Sequence, residues 1–256
     1  MNTAEPRPGG LEVWAPAVMP PIGVELSHEQ ALAVAFRHLA AIGFAENMAG
    51  HITWQPDGHT DMLVNPWGCG GRSSPRRISA WWTPTREWYA AGGMSPRRST
   101  SIPNCTASGT TQGWSFTTTP TTCVLAALGR LPELVHQTGS LFLDDLCLVD
   151  TYHGEVDSAS RAADLAAHIG DANLTILANH GVIATGRSLA EAVYRAASIE
   201  RVCKLAYDVM LTGKEPAQMK WADMAGMQRS LVERAADVYW AGAARMAIKA
   251  DPEVLR

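Results

Sequence analysis

Between Val64 and Val124 the chain contains no leucine and no valine, although it uses both freely on either side. Buried strands and helices in that stretch lack their usual filler, which limits what it can add to a core. From Cys69 to Cys123 the single acidic residue is Glu87, against 25 in the whole chain, while Trp81, Trp82, Trp88 and Trp114 supply four of its nine tryptophans. A long disordered insertion is the plain reading. Four tryptophans argue against a solvated linker, and a structureless loop of that size inside a compact domain is itself suspect. The segment is expected to pack badly, to leave the sheet one or two strands short and to lower stability.

The genetic code offers a cause, because paired nucleotide insertions or deletions scramble composition only until the frame is restored. Regrouping the last base of each codon with the first two of the next lets Trp114 to Cys123 read V-V-V-H-N-H-P-Y-Y-V. The same shift turns Ile78 to Thr85 into D-L-C-V-V-D-A-D, an apolar strand followed by an acidic turn. From Ser95 to Ala107 it can give V-T-P-P-I-H-L-H-T-E-L-H-R-V. Synonymous codons are free choices here, yet three stretches recover amphipathic pattern and the missing residue types together. An apparent frameshift over Cys69 to Cys123 is therefore expected.

The flanks read conventionally. Residues 1–25 carry Pro6, Pro8, Pro16, Pro20 and Pro21 with no apolar period, which predicts a mobile arm before a single domain over 26–256. Ser27 and Gln30 form a capping box, and Ala31, Val34, Ala35, His38, Leu39 and Ile42 repeat at helical spacing up to Gly43. His51 to Trp54 and Met62 to Val64, split by Pro56-Asp57-Gly58, predict a hairpin. Beyond the odd segment, Leu146 to Val149 reads as a strand, Ser158 to Ile169 as a helix, and Leu174 to Ala178 as a buried strand ending at Asn179-His180-Gly181. A second capping box, Ser188 with Glu191, opens a long amphipathic helix to Gly213, and Ala225 to Ile248 supplies a last one. Strands between helices predict a layered α/β domain.

A net charge of -4 and an isoelectric point near 6.1 give no basic field for a phosphate backbone, so no nucleic-acid partner is expected. No apolar run approaches the roughly 20 residues of a membrane helix, and the polar start has no leader pattern, so no membrane association is expected. Five cysteines without CxxC spacing indicate neither a disulfide framework nor a cysteine zinc site. These features together predict a cytoplasmic location.

Asn179-His180-Gly181 ends a buried strand, where a histidine can face a cleft while glycine lets the backbone turn away. By itself a histidine at such a place could equally be a structural one satisfied by local hydrogen bonds. His51 could be a locally bonded strand-edge residue, and Asn65, before Pro66, a turn or pocket-rim residue. Asp144-Asp145 is a carboxylate pair or a solvated turn before a strand; His136 and His168 read as structural. Gly70-Gly71 and Gly92-Gly93 form no phosphate cradle.

Taken together, Leu177-Ala178-Asn179-His180-Gly181, Ser188-Leu189-Ala190-Glu191-Ala192, Ala49-Gly50-His51-Ile52-Thr53 and Val64-Asn65-Pro66-Trp67-Gly68 resemble the class II aldolase/adducin family, over about Leu26 to Gly213. The Gly50-His51 turn is similar to the adducin-like branch. The resemblance implies a three-layer α/β/α sandwich with a central mixed, largely antiparallel sheet, disrupted in 69–123. It also implies a homo-oligomer, usually a tetramer, and a small hydroxycarbonyl or sugar-derived substrate with Gly50, His51 and Asn65 as substrate-binding positions. A divalent metal is implied as well, zinc first with iron or manganese as alternatives, held by an H-x-H pair and the histidine of the N-H-G motif. His180 is the metal ligand that carries over. The H-x-H pair exists only in the shifted frame, where Phe116 to Thr119 now stand, and neither Phe nor Thr replaces imidazole at zinc. No catalytic acid or base is assigned: family aldolases carry a Ser-Ser-Glu-like stretch where the shifted frame gives T-P-P. The implied activity is lyase-type chemistry impaired in this chain. The alternatives are a non-catalytic adducin-like oligomeric binding module, or decarboxylation, dehydration or iron-dependent oxidation on the same fold.

Overall fold

The structure, a computed structural model, describes residues 19–44, 51–59, 61–64, 80–82, 88–89, 112–116, 120–152, 154 and 159–256. Most of the expected N-terminal arm lies outside them. Helix α1 (His28–Leu39) starts where its sequence signal lies: the Gln30 amide donates to Ser27 Oγ at 3.2 Å and the Ser27 amide to Gln30 Oε1 at 2.9 Å, closing the capping box. Leu32, Ala35 and Leu39 bury one face in the main core, and Val34 packs on the other side with Ala244 and Ala247. A π turn, Ala40–Phe44, ends the helix at Gly43, whose φ of 107° no other residue type adopts easily.

Strands β1 (His51–Trp54) and β2 (Met62–Val64) form the expected antiparallel hairpin, with Thr53 opposite Val64. Strands β3 (Ala80–Trp82), β4 (Trp88–Tyr89) and β5 (Gln112–Phe116) all come from the leucine-free segment. With β6 (Leu146–Val149), β7 (Leu174–Leu177) and β8 (Gly181–Gly186) they complete an eight-stranded sheet in the order β4-β3-β2-β1-β5-β8-β7-β6. The expectation of one or two missing strands is thereby overturned. A ladder is built from backbone amides and carbonyls, which nearly every residue supplies, and tryptophan and tyrosine favour strands whatever their frame of origin.

Only β6 and β7 pair parallel; every other neighbour is antiparallel. Strand β8 is absent from the sequence reading, which passes from Gly181 to the cap at Ser188. The chain doubles back within the three residues Ala178 to His180, too short a turn to announce itself by composition. The remaining helices are α2 (Pro120–Ala127), α3 (Ala159–Ile169), α4 (Leu189–Leu211), α5 (Trp221–Ser230) and α6 (Ala236–Ala250). The last helix read over Ala225 to Ile248 thus begins earlier, at Trp221, and carries a π turn at Leu231–Ala235.

Alternation along β8 shows the layering. Val182 and Ala184 join the main core with Leu32 and Ala35 of α1 and Val193 and Ile199 of α4, whereas Ile183 packs with Val149, Leu177 and the α3 residues Leu165 and Ile169. Helices therefore cover both faces, and the architecture is a three-layer α/β/α sandwich around a mixed, largely antiparallel sheet. Helix α3 is the crossover that parallel pairing of β6 and β7 requires. Where β8 meets α4 the approach is close: a Cβ on Gly186 would lie 2.6 Å from the Ala192 amide nitrogen.

The cap at Ser188 closes only by half. The Glu191 amide donates to Ser188 Oγ at 3.2 Å, but the Glu191 carboxylate takes the Arg187 amide at 2.9 Å and pairs with Arg195 at 2.7 Å. Arg195, one turn further along and buried, draws that carboxylate away from the reciprocal bond of a capping box. Asp145 is no solvated turn either: its Oδ1 accepts from the Asn173 amide and from Asn173 Nδ2 at 2.8 and 2.9 Å, and its Oδ2 lies 3.7 Å from Arg195. Asp144, at a φ of 56°, accepts from Trp221 Nε1 at 3.3 Å, so the pair is structural.

Candidate functional site

Parallel strands place their carboxyl ends side by side, and a crevice forms where the crossover helix stands off from them. Here β6 ends at Val149 and β7 at Leu177, and α3 leaves a cleft of about 420 Å³ against them. Val149, Leu165, Leu177 and Ala178 make its apolar floor, and Tyr152, Arg161 and His180 stand among its polar lining.

His180 is aimed by the backbone. Asn179 adopts a left-handed φ of 55°, a conformation asparagine tolerates better than most residues, and the His180 amide donates to the Leu177 carbonyl at 3.1 Å. The turn is also tied to its neighbours: the Ala178 amide donates to Val149 of β6 at 2.8 Å and the Asn179 amide to Ala126 of α2 at 3.1 Å. Three elements thus fix an imidazole that is itself exposed. The Tyr152 ring meets it edge to face, with centroids 6.4 Å apart and planes at 81°.

Of the other positions singled out in the sequence, Gly50 and Asn65 lie outside the described residues. His51 opens β1, and its Cα partner is Ser115 of β5, whose own partner is Ile183 of β8. That register brings His51 to the same end of the sheet as the His180 turn, two strands or about 10 Å from β8. His136 caps a 3-10 turn, accepting the Thr138 amide at 3.2 Å, and His168 bonds the Leu148 carbonyl at 3.1 Å while also lining the cleft. Tyr152 and Arg161 were not singled out from sequence; the parallel β6–β7 pair, whose strand ends predict a crevice, is the signal that points to them.

A model of the Class II Aldolase and Adducin N-terminal domain matches residues 108–207, from just before β5 to near the end of α4. Over those residues the chain is similar to the class II aldolase/adducin family. Solved structures agree on the fold. An L-fuculose 1-phosphate aldolase from Glaciozyma antarctica superposes with a TM-score of 0.75 at 17% identity, covering 89% of this chain and 91% of that one. An aldolase II superfamily protein from Pseudomonas syringae gives 0.77 at 16%, over 89% and 94%. The L-fuculose-1-phosphate aldolase from Thermus thermophilus gives 0.57 at 18%, over 75% and 100%. No curated protein matches the chain at the same level of significance.

The donor set does not fit the three-imidazole site that the resemblance implies. Residues 116–119 read Phe-Thr-Thr-Thr, and Phe116 pairs with Val182, so this stretch of sequence follows directly on the strand beside the His180 hairpin. Among the described residues no group of three His, Cys, Asp or Glu side chains converges on one point. Threonine hydroxyls and a phenyl ring do not substitute for neutral imidazoles as ligands of a borderline-soft cation. Among the described residues no helix is long and apolar enough to cross a membrane.

Proposed function

We propose that this class II aldolase/adducin family chain derives from a lyase acting on a small hydroxycarbonyl or sugar-derived substrate, and that catalysis is impaired in the chain as written. One observation carries the reading. The fold still delivers His180 to a cleft at the ends of β6 and β7, while positions 116–119, at and after the end of β5 in sequence, hold no imidazole to complete a ligand set. The similarity to L-fuculose 1-phosphate aldolases supports a phosphorylated hydroxycarbonyl as the first substrate to try.

His180, Tyr152 and Arg161 would then bind and orient such a substrate against the apolar floor, with His51 on the same sheet end. Arg161 is the cation of the cleft suited to an anionic group. The test is cleavage of L-fuculose 1-phosphate, followed by aldehyde release, on the protein as written and on a version with the 69–123 frame restored. Turnover is expected only from the restored protein and is lost on His180→Asn. Turnover by the protein as written at a rate that His180→Asn leaves untouched would refute the reading.

The same donor set favours a second reading, a non-catalytic oligomeric binding module that needs the assembly surface but not the chemistry. Light scattering separates the two: a stable oligomer that remains inactive after frame restoration supports the module. The apparent frameshift is part of the proposal, and the positions of β3 and β5 support it. The shifted frame reads V-V within Ala80 to Trp82 and V-V-V near Gly113 to Phe116, the stretches that form those two strands.

A further inference from the structure

We propose that Glu200, on α4, is a positioning residue for His180 and acts through α2; the inference rests on His180 being the functional imidazole. Helix α2 opens at Pro120 with no acidic residue in its first turn, so its first amides find no carboxylate nearby in sequence. Glu200 brings one from another helix. Its Oε2 accepts the Thr122 amide at 3.0 Å and the Thr122 hydroxyl at 2.6 Å. A negative charge at that end also complements the helix dipole. Thr122 is fully buried, and so is Cys203, three residues along α4 from Glu200. Burial, with the Glu200 charge adding to it, pushes the Cys203 thiol up to about 12. The contact is part-buried, where a charge-assisted hydrogen bond is stronger than one fully in water.

The other end of α2 reaches the site. The Ala126 carbonyl accepts the Gly129 amide at 3.0 Å, which ends the helix, and also the Asn179 amide at 3.1 Å. Asn179 is the left-handed residue that turns His180 toward the cleft. A helix about 12 Å long, pinned at its N-terminus by Glu200, therefore holds by its C-terminus the turn that aims the imidazole. One of the two bonds to Glu200 is made by a backbone amide, so it does not depend on the residue type at position 122.

The test needs no substrate. In the full chain, the His180 Cε1–H signal is assigned by its loss in His180→Asn and followed at one fixed pH, and exchange of the α2 amides is measured alongside. Glu200→Ala is expected to shift and broaden the His180 signal and to speed α2 amide exchange about tenfold. Glu200→Gln, which keeps an oxygen for the Thr122 amide, restores most of the wild-type signal. Thr122→Val removes only the hydroxyl bond and gives a smaller change. Arg256→Ala, at the last residue and paired with Glu253, leaves the signal where it was. Faster α2 exchange with an unmoved His180 signal, in Glu200→Ala or in Thr122→Val should the alanine variant not fold, would overturn the assignment. Failure to cleave L-fuculose 1-phosphate after frame restoration would instead count against the proposed function and leave the Glu200 result standing.

Discussion

Arg195→Ala tests whether the end of the sheet opposite the His180 turn is held by charge. Arg195 is 4% exposed, and its guanidinium donates to the Thr185 carbonyl of β8 at 3.0 Å, pairs with Glu191 at 2.7 Å and lies 3.7 Å from Asp145 at the start of β6. Removing it leaves Asp145, at 14% side-chain exposure, without a cation and Glu191, at 8%, with only the exposed Arg187 at 3.3 Å. Breaking a buried pair from one side costs about 3–5 kcal/mol. In a chain of this size that is a fall of roughly 10 °C in melting temperature. One Arg195 atom, Nε, already lacks a hydrogen-bond partner, so the network is not optimal, and the double variant Glu191→Leu with Arg195→Met should recover most of the loss. Urea unfolding followed by far-ultraviolet circular dichroism measures both. A single-variant loss below about 1 kcal/mol, the range of an exposed ion pair, would show that these charges are solvated and refute the argument.

Other outcomes follow from single contacts. Asn179→Ala puts an ordinary side chain at a φ of 55° and should cost about 1–2 kcal/mol, whereas Asn179→Gly should be close to neutral; thermal melts of the two separate backbone strain from loss of the amide. Gly186→Ala brings a methyl 2.6 Å from a backbone nitrogen and should cost about 1–3 kcal/mol, read by the same unfolding assay. His38 is buried beside the Tyr239 hydroxyl at 2.8 Å, and burial lowers its pKa below the usual 6.5. The unfolded chain therefore takes up the proton first: stability is full above about pH 6.5 and falls as pH drops below it, and His38→Gln should flatten that slope in urea unfolding run across about pH 7 to 5.

Where the signal was local, the sequence disclosed the structure. The Ser27 box, the β1–β2 hairpin, strand β7 and the N-H-G turn each depend on residues within a few positions of one another, and each forms. The misses were long-range. Strand β8 begins at the N-H-G turn, but it pairs with β5 over a separation of about seventy residues. Glu191 leaves its capping partner because Arg195 and Arg187 take its carboxylate, and Arg195 is itself held by Asp145 of a distant loop. Tyr152 and Arg161 share a cleft with His180 only because β6 and β7 run parallel, and nothing in their own neighbourhoods marks them. Glu200 meets Thr122 across 78 positions, a contact that no spacing rule predicts.

A shifted frame would act unequally on fold and chemistry, and the leucine-free segment shows why. Strand pairing is made by the backbone, so β3, β4 and β5 can keep their places in the ladder with tryptophan, tyrosine, serine and threonine where valine and leucine would be. An imidazole pair has no such tolerance, because no other residue type in Phe116 to Thr119 offers an equivalent donor. The proposed frameshift accordingly predicts a specific peptide. Trypsin acting on the natural protein should release no Ile78 to Arg86 peptide, whose two adjacent tryptophans make it easy to recognise by mass, and should instead give one that carries the shifted reading. Resequencing the gene between the codons for Gly68 and Val124 checks the same point independently. Recovery of the Ile78 to Arg86 peptide in full yield would mean that the segment is made as written, and the frame account would fall.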